Sequence, residues 1–202
     1  MIDTASELRS RSDVLRRPSP VPSAPGIYAW YFRKVPLQID VTGCYHVEDL
    51  TLLYVGISPK EPAKNGRTPS RSTLRQRLHT HFVGNAEGST LRKTLGCLIA
   101  SETGYPLRRV GSGERKTFTN PGEQALDHWM AVNAFVAWHA CERPWDLERQ
   151  ILDSGLPLPL NIRDNPSEAH TSILRAIRRS AVADAMASPI VTDNGGPRRT
   201  SA

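Results

Sequence analysis

The sequence predicts a mixed α/β (α+β) fold in which a small three-stranded antiparallel sheet is flanked by helices. Three runs rich in tyrosine, valine and isoleucine have the composition of strands. Several other segments repeat apolar residues at three- and four-residue spacing, which is typical of helices with one buried face. These patterns follow each other as strand, strand, helix, helix, hairpin, helix, strand and helix, and a chain of 202 residues fits one such domain with appended segments.

The strands come first in this order. "GIYAWYFRKV", residues 26–35, and "DLTLLYVGIS", residues 49–58, are separated by turn-like residues and predict an antiparallel pair. "AFVAWHAC", residues 134–141, predicts a third, buried strand. "PLRRVGSGERKTFT", residues 106–119, contains two short extended pieces around a glycine turn and predicts an inserted hairpin.

The helices follow from caps and apolar stripes. In "STLRQRLHTHF", residues 72–82, Ser72 or Thr73 is a candidate N-cap, and leucine and phenylalanine recur every four residues. Residues 89–105 repeat this logic with Ser89 or Thr90 as the cap and Gly104 as the stop. Further helices are predicted over residues 121–133, 144–155 and about 167–186, the second of them opened by a proline.

These elements predict four regions along the chain. Residues 1–22 end in a proline- and serine-rich stretch and are expected to be a flexible N-terminal segment, compatible with a short helix over residues 5–16. Residues 23–165 form the expected main domain, and residues 166–186 a C-terminal helix. Residues 187–202 are rich in glycine, serine and proline and are expected to be a disordered basic tail.

Composition narrows the class of protein. Lysine and arginine number 26 against 20 acidic residues, a formal charge of +6, which favours an acidic partner such as nucleic acid. Three widely spaced cysteines indicate neither a disulfide framework nor a zinc ligand set. No stretch has the length and hydrophobicity of a signal peptide core or a membrane span, so we expect a cytoplasmic protein without membrane contact.

Five short motifs occur in a fixed order on these elements. They are "GIY" at 26–28, "YVG" at 54–56, Arg77 within "LRQRLHTHF", Glu148 within "LERQI", and Asn161 at the end of "LPLN". Each alone is weak, but the ordered set resembles the GIY-YIG nuclease domain from about residue 25 to 161. The long spacing between the two tyrosine motifs is similar to that of the restriction-type branch rather than the compact repair and homing members.

The resemblance implies a metal-dependent endonuclease that hydrolyses DNA phosphodiester bonds. By resemblance, Glu148 is the metal ligand for one Mg²⁺ ion, with Mn²⁺ as a substitute, and an ion held by a single carboxylate is expected to bind tightly only together with the DNA phosphate. Arg77 is expected to stabilise the transition state through its guanidinium. The implied catalytic set is Tyr28, Tyr54, Arg77, His81, Glu148 and Asn161.

The other members of that set receive roles from the same resemblance. His81 lies four residues after Arg77, on the same helix face, and is expected to support it or to transfer a proton. The resemblance places Tyr28 and Tyr54 beside the scissile phosphate. Because an unperturbed tyrosine has a pKa near 10, either one can act as a base only with help from the metal ion or Arg77. Without that help, its hydroxyl only orients the attacking water. Asn161 is expected to fix local geometry through its amide.

A further group is predicted to contact nucleic acid. Gly26 and Gly56 mark positions where backbone and substrate approach closely. The arginine and lysine side chains of the predicted hairpin either form a solvated face or bind phosphate groups of the nucleic acid. The predicted nucleic-acid-binding residues are Gly26, Gly56, Ser58, Arg108, Arg109 and Lys116.

Two other functions stay open at this point. Ile57 follows "YVG" where many members of the family have a lysine or a small residue, so a lysine-assisted base is not indicated. A binding module that keeps the fold without cutting is consistent with this departure. An enzyme of the same fold with a small-molecule substrate is the third reading, and a closed pocket too narrow for a duplex would indicate it.

Overall fold

A four-stranded antiparallel sheet organises the fold. The computed structural model describes residues 8–62, 70–163, 165 and 167–193. The strand order is β2-β3-β1-β6, so the first long strand lies between two partners. A separate two-stranded sheet forms the predicted hairpin. The strands are β1 Gly26–Phe32, β2 His46–Val47, β3 Leu50–Ser58, β4 Arg108–Val110, β5 Arg115–Thr117 and β6 Ala134–Ala140.

The α/β class is confirmed, but the main sheet has one strand more than predicted. β2 pairs only His46 with Thr51 and Val47 with Leu50. The turn between β2 and β3 places Glu48 at a φ of +53°, a conformation that this residue type rarely adopts. Two residues are too few to show an alternating pattern, so the sequence gives no signal for this strand.

Seven helices are found in the part of the chain that the structure describes. Thr73 caps the second and Ser89 the third, each by accepting a backbone N–H, and Gly104 ends the fourth in the left-handed conformation. The predicted helix over residues 89–105 is divided at Ile99. The helices are α1 Arg11–Leu15, α2 Leu74–Val83, α3 Thr90–Leu98, α4 Ala100–Thr103, α5 Thr119–Asn133, α6 Pro144–Asp153 and α7 Glu168–Ala187.

The two faces of the sheet bury different clusters. Alternation along β1 sends Tyr28, Trp30 and Phe32 into the larger core, which α2, α3 and α5 cover. Ile27 and Tyr31 point to the other face, into a smaller cluster completed by α6 and the segment that follows it. The tyrosine of "GIY" therefore lies on the α2 side of the sheet.

The segments outside the catalytic domain also make contacts. We expected residues 1–22 to be flexible; residues 8–22 lie against the domain, where Arg9 pairs with Val136 on the outer edge of β6, and Val14 and Val21 are buried. Of the tail, Val191 bridges to β4. Residues 1–7 of the first predicted segment and residues 194–202 of the tail lie outside the described residues. Within the described ranges, no helix has the length and apolar character needed to cross a membrane.

Candidate active site

The two motif tyrosines meet on one face of the sheet. In the antiparallel register Tyr28 lies opposite Gly56, and Tyr54 lies opposite Trp30. This diagonal places the two tyrosine ring centroids 6.4 Å apart at an angle of 29°. A Cβ atom at Gly56 would lie 2.7 Å from the Tyr28 hydroxyl oxygen and 2.9 Å from Tyr54 Cε1. Position 56 must therefore be glycine for the two rings to share this face.

α2 brings two polar side chains to the Tyr28 hydroxyl. Arg77 and His81 are one helical turn apart and so share a face. Arg77 Nε donates to Tyr28 Oη over 3.3 Å, and His81 Nε2 lies 2.9 Å from the same oxygen. Arg77 Nη1 donates to the Gly88 carbonyl over 3.1 Å, which fixes the guanidinium at both ends.

Ser89 is a member of the site that the sequence identified only as a helix cap. Its Oγ accepts the backbone N–H of Arg92 over 3.0 Å and lies 2.6 Å from His81 Nδ1. No sequence pattern links a helix cap to a histidine on the preceding helix. The contact arises only because α2 and α3 pack side by side.

The hydrogen bonds of Ser89 are compatible with a neutral His81 that carries its proton on Nε2. Both residues are fully buried, and Ser89 has a single proton. Its oxygen accepts from the Arg92 backbone, and donation of that proton to Nδ1 would complete the bonding of the hydroxyl. The proton of the neutral imidazole then sits on Nε2 and is donated to Tyr28. In this arrangement, Tyr28 Oη accepts from both His81 and Arg77.

The electrostatics of the site follow from burial and from the charges of Arg77, Arg92 and Glu148. Burial raises the pKa of Tyr28 and of Tyr54, and the Glu148 charge raises both further, whereas Arg77 lowers both. Burial, together with Arg77 and Arg92, holds the pKa of His81 well below its ordinary value. His81 is therefore a neutral imidazole at neutral pH.

Arg77 remains charged in this environment. Burial disfavours its cation, but Tyr28 and Tyr54 nevertheless hold the pKa of Arg77 above its ordinary value. The side chain is partly exposed, as is that of Tyr54, whereas Tyr28 is 1% exposed. The site thus presents a fixed cation and one phenol to solvent, with a second phenol beneath them.

Glu148 approaches the tyrosines from α6, which packs against β1 and β3. Its side chain is partly exposed, and its charge acts on both tyrosines. Among the residues that the structure describes, no three histidine, cysteine or acidic side chains gather into a metal site. One carboxylate beside phenol oxygens fits a single Mg²⁺ ion that keeps most of its water ligands, and does not fit a zinc centre.

Asn161 holds β3 in place. Its side-chain oxygen accepts the Val55 N–H over 2.9 Å, and its amide nitrogen donates to the Val55 carbonyl over 2.8 Å. The adjacent Leu160 N–H donates to the Leu53 carbonyl over 2.9 Å. Asn161 therefore pairs with the strand edge next to Tyr54, and its contacts are those of a positioning residue.

Three of the predicted nucleic-acid contacts are engaged inside the protein. A Cβ at Gly26 would collide with the β6 backbone and lie 2.6 Å from Leu74 Cδ1, so internal packing explains this glycine. The space beside Gly56 is occupied by the rings of Tyr28 and Tyr54, as described above. Ser58 is 1% exposed, and its hydroxyl hydrogen-bonds to that of Ser72 over 2.8 Å.

The predicted hairpin cations differ in their contacts. Arg109 donates to the carbonyls of Ala185 and Ser188 at the end of α7, and Arg108 donates to the carbonyl of Pro189. These bonds satisfy carbonyls at and just beyond a helix C-terminus, where a cation is also favoured by the helix dipole. Arg108 and Arg109 are therefore bonded to the end of α7, and their contact with nucleic acid stays a prediction. Lys116 Nζ donates to the carbonyl of Glu114 and stays at the surface.

Comparison with known proteins gives one match. The model of the GIY-YIG catalytic domain matches residues 26–181. No curated protein and no solved structure matches the chain. The matched range begins at the glycine of "GIY" and continues past Asn161 into α7, beyond the point where the resemblance in the motifs ends. Because the match covers most of the chain and includes the whole site, the protein belongs to the GIY-YIG catalytic domain family.

Proposed function

We propose that this protein is a divalent-metal-dependent endonuclease that hydrolyses phosphodiester bonds in DNA. Membership of the family supports a nuclease-type function. The proposal of a DNA endonuclease depends on one observation: Arg77 and His81 both contact the Tyr28 hydroxyl, beside Tyr54. The charge of Glu148 also acts on Tyr28.

Arg77 is the group that binds the phosphate. Its guanidinium is anchored by Tyr28 and by the Gly88 carbonyl, so little side-chain entropy is lost when a phosphoryl oxygen arrives. A charge-assisted hydrogen bond from a fixed arginine becomes stronger as negative charge grows on that oxygen. Arg77 therefore contributes to the transition state more than to initial binding.

Tyr28 is the better proton acceptor of the two tyrosines. A phenolate at Tyr28 would receive hydrogen bonds from Arg77 and His81, whereas Tyr54 is raised further in pKa by its neighbour Tyr28. Tyr54 is the more exposed of the pair and holds the attacking water against the Tyr28 hydroxyl. Because both phenols are neutral at pH 7, Tyr28 first releases its proton to bulk water, and the phenolate, stabilised by Arg77 and His81, then accepts the proton of the attacking water.

His81 supports Tyr28 as a hydrogen-bond donor. With its proton on Nε2, the imidazole has no lone pair toward Tyr28 and does not take its proton. Its depressed pKa keeps it neutral, so it stabilises the phenolate without adding a second cation beside Arg77.

Glu148 would hold the metal ion. A divalent ion at such a site polarises the phosphoryl group and lowers the pKa of a bound water. Mg²⁺ fits the oxygen donors, and Mn²⁺ is expected to substitute. Because a single carboxylate binds the ion weakly, the DNA phosphate contributes to its retention.

Plasmid nicking tests the proposal. We expect wild-type protein with Mg²⁺ or Mn²⁺ to relax supercoiled DNA, and Glu148→Gln and Arg77→Gln each to slow cutting by about 10²- to 10³-fold. Tyr28→Phe is expected to be impaired more than Tyr54→Phe. Glu142→Gln, on the exposed surface before α6, is the matched control and should cut normally. Equal cutting by Glu148→Gln and wild type, or no cutting by wild type on supercoiled, linear and branched duplexes, contradicts the proposal.

A further inference from the structure

A surface cavity of about 340 Å³ lies between α3 and α7 and is lined almost entirely by cations. α7 contributes arginines at positions 175, 178 and 179, whose spacing of three and four residues puts them on one helix face. α3 contributes Lys93 from the opposite wall. The lining residues are Lys93, Arg175, Arg178, Arg179 and Val182.

Two of these cations, Lys93 and Arg178, are partly buried beside each other, which is unfavourable for the fold by itself, whereas Arg175 and Arg179 are exposed. Among the described residues, Lys93, Arg178 and Arg179 form no ion pair with a carboxylate, and Arg175 donates to the Ile162 carbonyl over 3.3 Å. Burial and the neighbouring Arg178 lower the pKa of Lys93, and burial lowers that of Arg178. Four cations held together in this way repel each other unless an anion lies between them.

Glu87, an acidic side chain that acts on the pKa of Lys93, does not neutralise the cavity. Glu87 acts weakly on Lys93, but its carboxylate accepts from Arg115 Nε over 3.1 Å and from the Lys116 backbone N–H over 3.1 Å. Lys116 adds a further positive charge to the surroundings of Lys93. The cationic surface thus continues from α7 across α3 to the hairpin.

The cavity lies next to the candidate active site along α3. Lys93 is one turn after Ser89, whose carbonyl accepts its backbone N–H over 3.0 Å. One turn of helix is roughly 5 Å. Gly88 and Ser89 themselves contact Arg77 and His81. A strand bound at Arg77 therefore has to pass only a short distance along α3 to bring its next phosphates to this cavity.

We propose that the cavity between α3 and α7 binds backbone phosphates of the DNA that flank the scissile bond. The inference rests on the proposed function for its ligand. A row of cations on two helices and a hairpin fits a polyanion, whereas a site for one small anion would need donors converging on a point. Sequence-independent contacts of this kind position the duplex and carry no base preference.

Salt-dependent DNA binding tests the inference. The probe is a fluorescein-labelled duplex oligonucleotide in EDTA, so that binding is measured without cutting. We expect Arg175→Gln/Arg179→Gln to reduce the slope of log K against log salt by about 1.8, since each phosphate contact contributes about 0.9. Affinity at 100 mM salt should fall by roughly tenfold or more. The control Arg33→Gln/Lys34→Gln removes the same charge after the end of β1 and should keep the wild-type slope.

A second variant separates ligand binding from folding. Lys93→Met removes one of the crowded cations, so we expect it to raise the melting temperature while weakening DNA binding. A purely structural role for Lys93 predicts the opposite change in stability. An unchanged slope in Arg175→Gln/Arg179→Gln, or equal losses in that variant and the control, overturns the inference.

The outcome is separable from that of the proposed function. If the wild type cuts DNA and the α7 variants bind and cut normally, the inference fails and the nuclease proposal stands. If the wild type binds duplex through these arginines but never cuts, the nuclease proposal fails, and of the inference only the assignment of the cavity as a site for DNA backbone phosphates stands. Inorganic phosphate is titrated in parallel by calorimetry; saturation of the cavity by free phosphate, with DNA binding unaffected by the variants, also overturns the inference.

Discussion

At the scale of single residues, the site depends on one hydroxyl oxygen. Tyr28 Oη has Arg77 and His81 as neighbours, and His81 is hydrogen-bonded in turn to Ser89. The sequence predicts Tyr28, Arg77 and His81 as site members from the ordered motifs. It does not predict Ser89 in this role, because its contact with His81 depends on how two helices pack.

Ser89→Ala tests the assigned tautomer. Without the serine proton at Nδ1, the imidazole is expected to populate both neutral tautomers, which ¹⁵N NMR of the histidine ring distinguishes. The cutting rate kcat should fall by roughly tenfold while KM changes little, because the effect acts through Tyr28. Loss of the helix cap is expected to cost about 1 kcal/mol of stability.

Thr90→Ala is the matched control for that experiment. Thr90 is exposed at the next position and has no contact with His81, so kcat and the NMR spectrum of His81 should not change. A wild-type spectrum with the proton on Nδ1 would contradict the tautomer used above, and an unchanged tautomer in Ser89→Ala would show that Ser89 does not set it.

At the scale of elements, one buried arginine joins three helices. Arg92 on α3 is fully buried and pairs with Glu123 over 2.8 Å and with Asp127 over 2.6 Å, both on α5. Its Nη1 also donates to the carbonyls of His81 and Phe82 near the end of α2. The sequence predicts the helices separately, but nothing in their apolar stripes indicates that a cation connects them.

Arg92→Met should destabilise the protein strongly. The substitution leaves Glu123, which is 2% exposed, without its cation, and breaking a buried pair in this way costs about 3–5 kcal/mol. The measurement is the free energy of unfolding in urea. Arg33→Met removes the exposed pair with Asp49 and should cost about 1 kcal/mol or less. Similar losses in the two variants would show that the buried network does not carry this energy.

At the scale of the whole molecule, the buried imidazole links stability to pH. The pKa of His81 in the folded protein is well below the value of 6.5 expected for an unfolded chain, because of burial and the nearby Arg77 and Arg92. The unfolded chain therefore takes up a proton that the folded protein does not. The contribution of His81 is fully present above pH 6.5 and is lost as the pH falls from 6.5 toward the folded value.

Urea unfolding at several pH values checks this linkage. Between pH 7.5 and 5.0 we expect the wild type to lose stability that His81→Gln does not lose. Asp13, Asp40 and Asp49 have pKa values held below the usual 3.8 by hydrogen bonds, so their titration falls outside this window. Identical slopes in wild type and His81→Gln would contradict a buried neutral imidazole.

The sequence by itself determined the fold class, the order of the main elements and the family. The composition of strands, the apolar stripes of helices and the helix caps are local properties of the sequence. The ordered motifs can likewise be recognised directly in the sequence. Membership of the restriction-type branch of the family stays a prediction, because it depends only on the spacing between the two tyrosine motifs.

Only the tertiary structure decided which polar residues work together. It placed Ser89 behind His81, paired Asn161 with Val55, and turned Arg108 and Arg109 toward the end of α7. It also assembled the cationic cavity from two helices far apart in sequence. Hydrogen-bond partners and charge neighbours depend on distances between elements, and those distances are fixed by packing rather than by any local pattern.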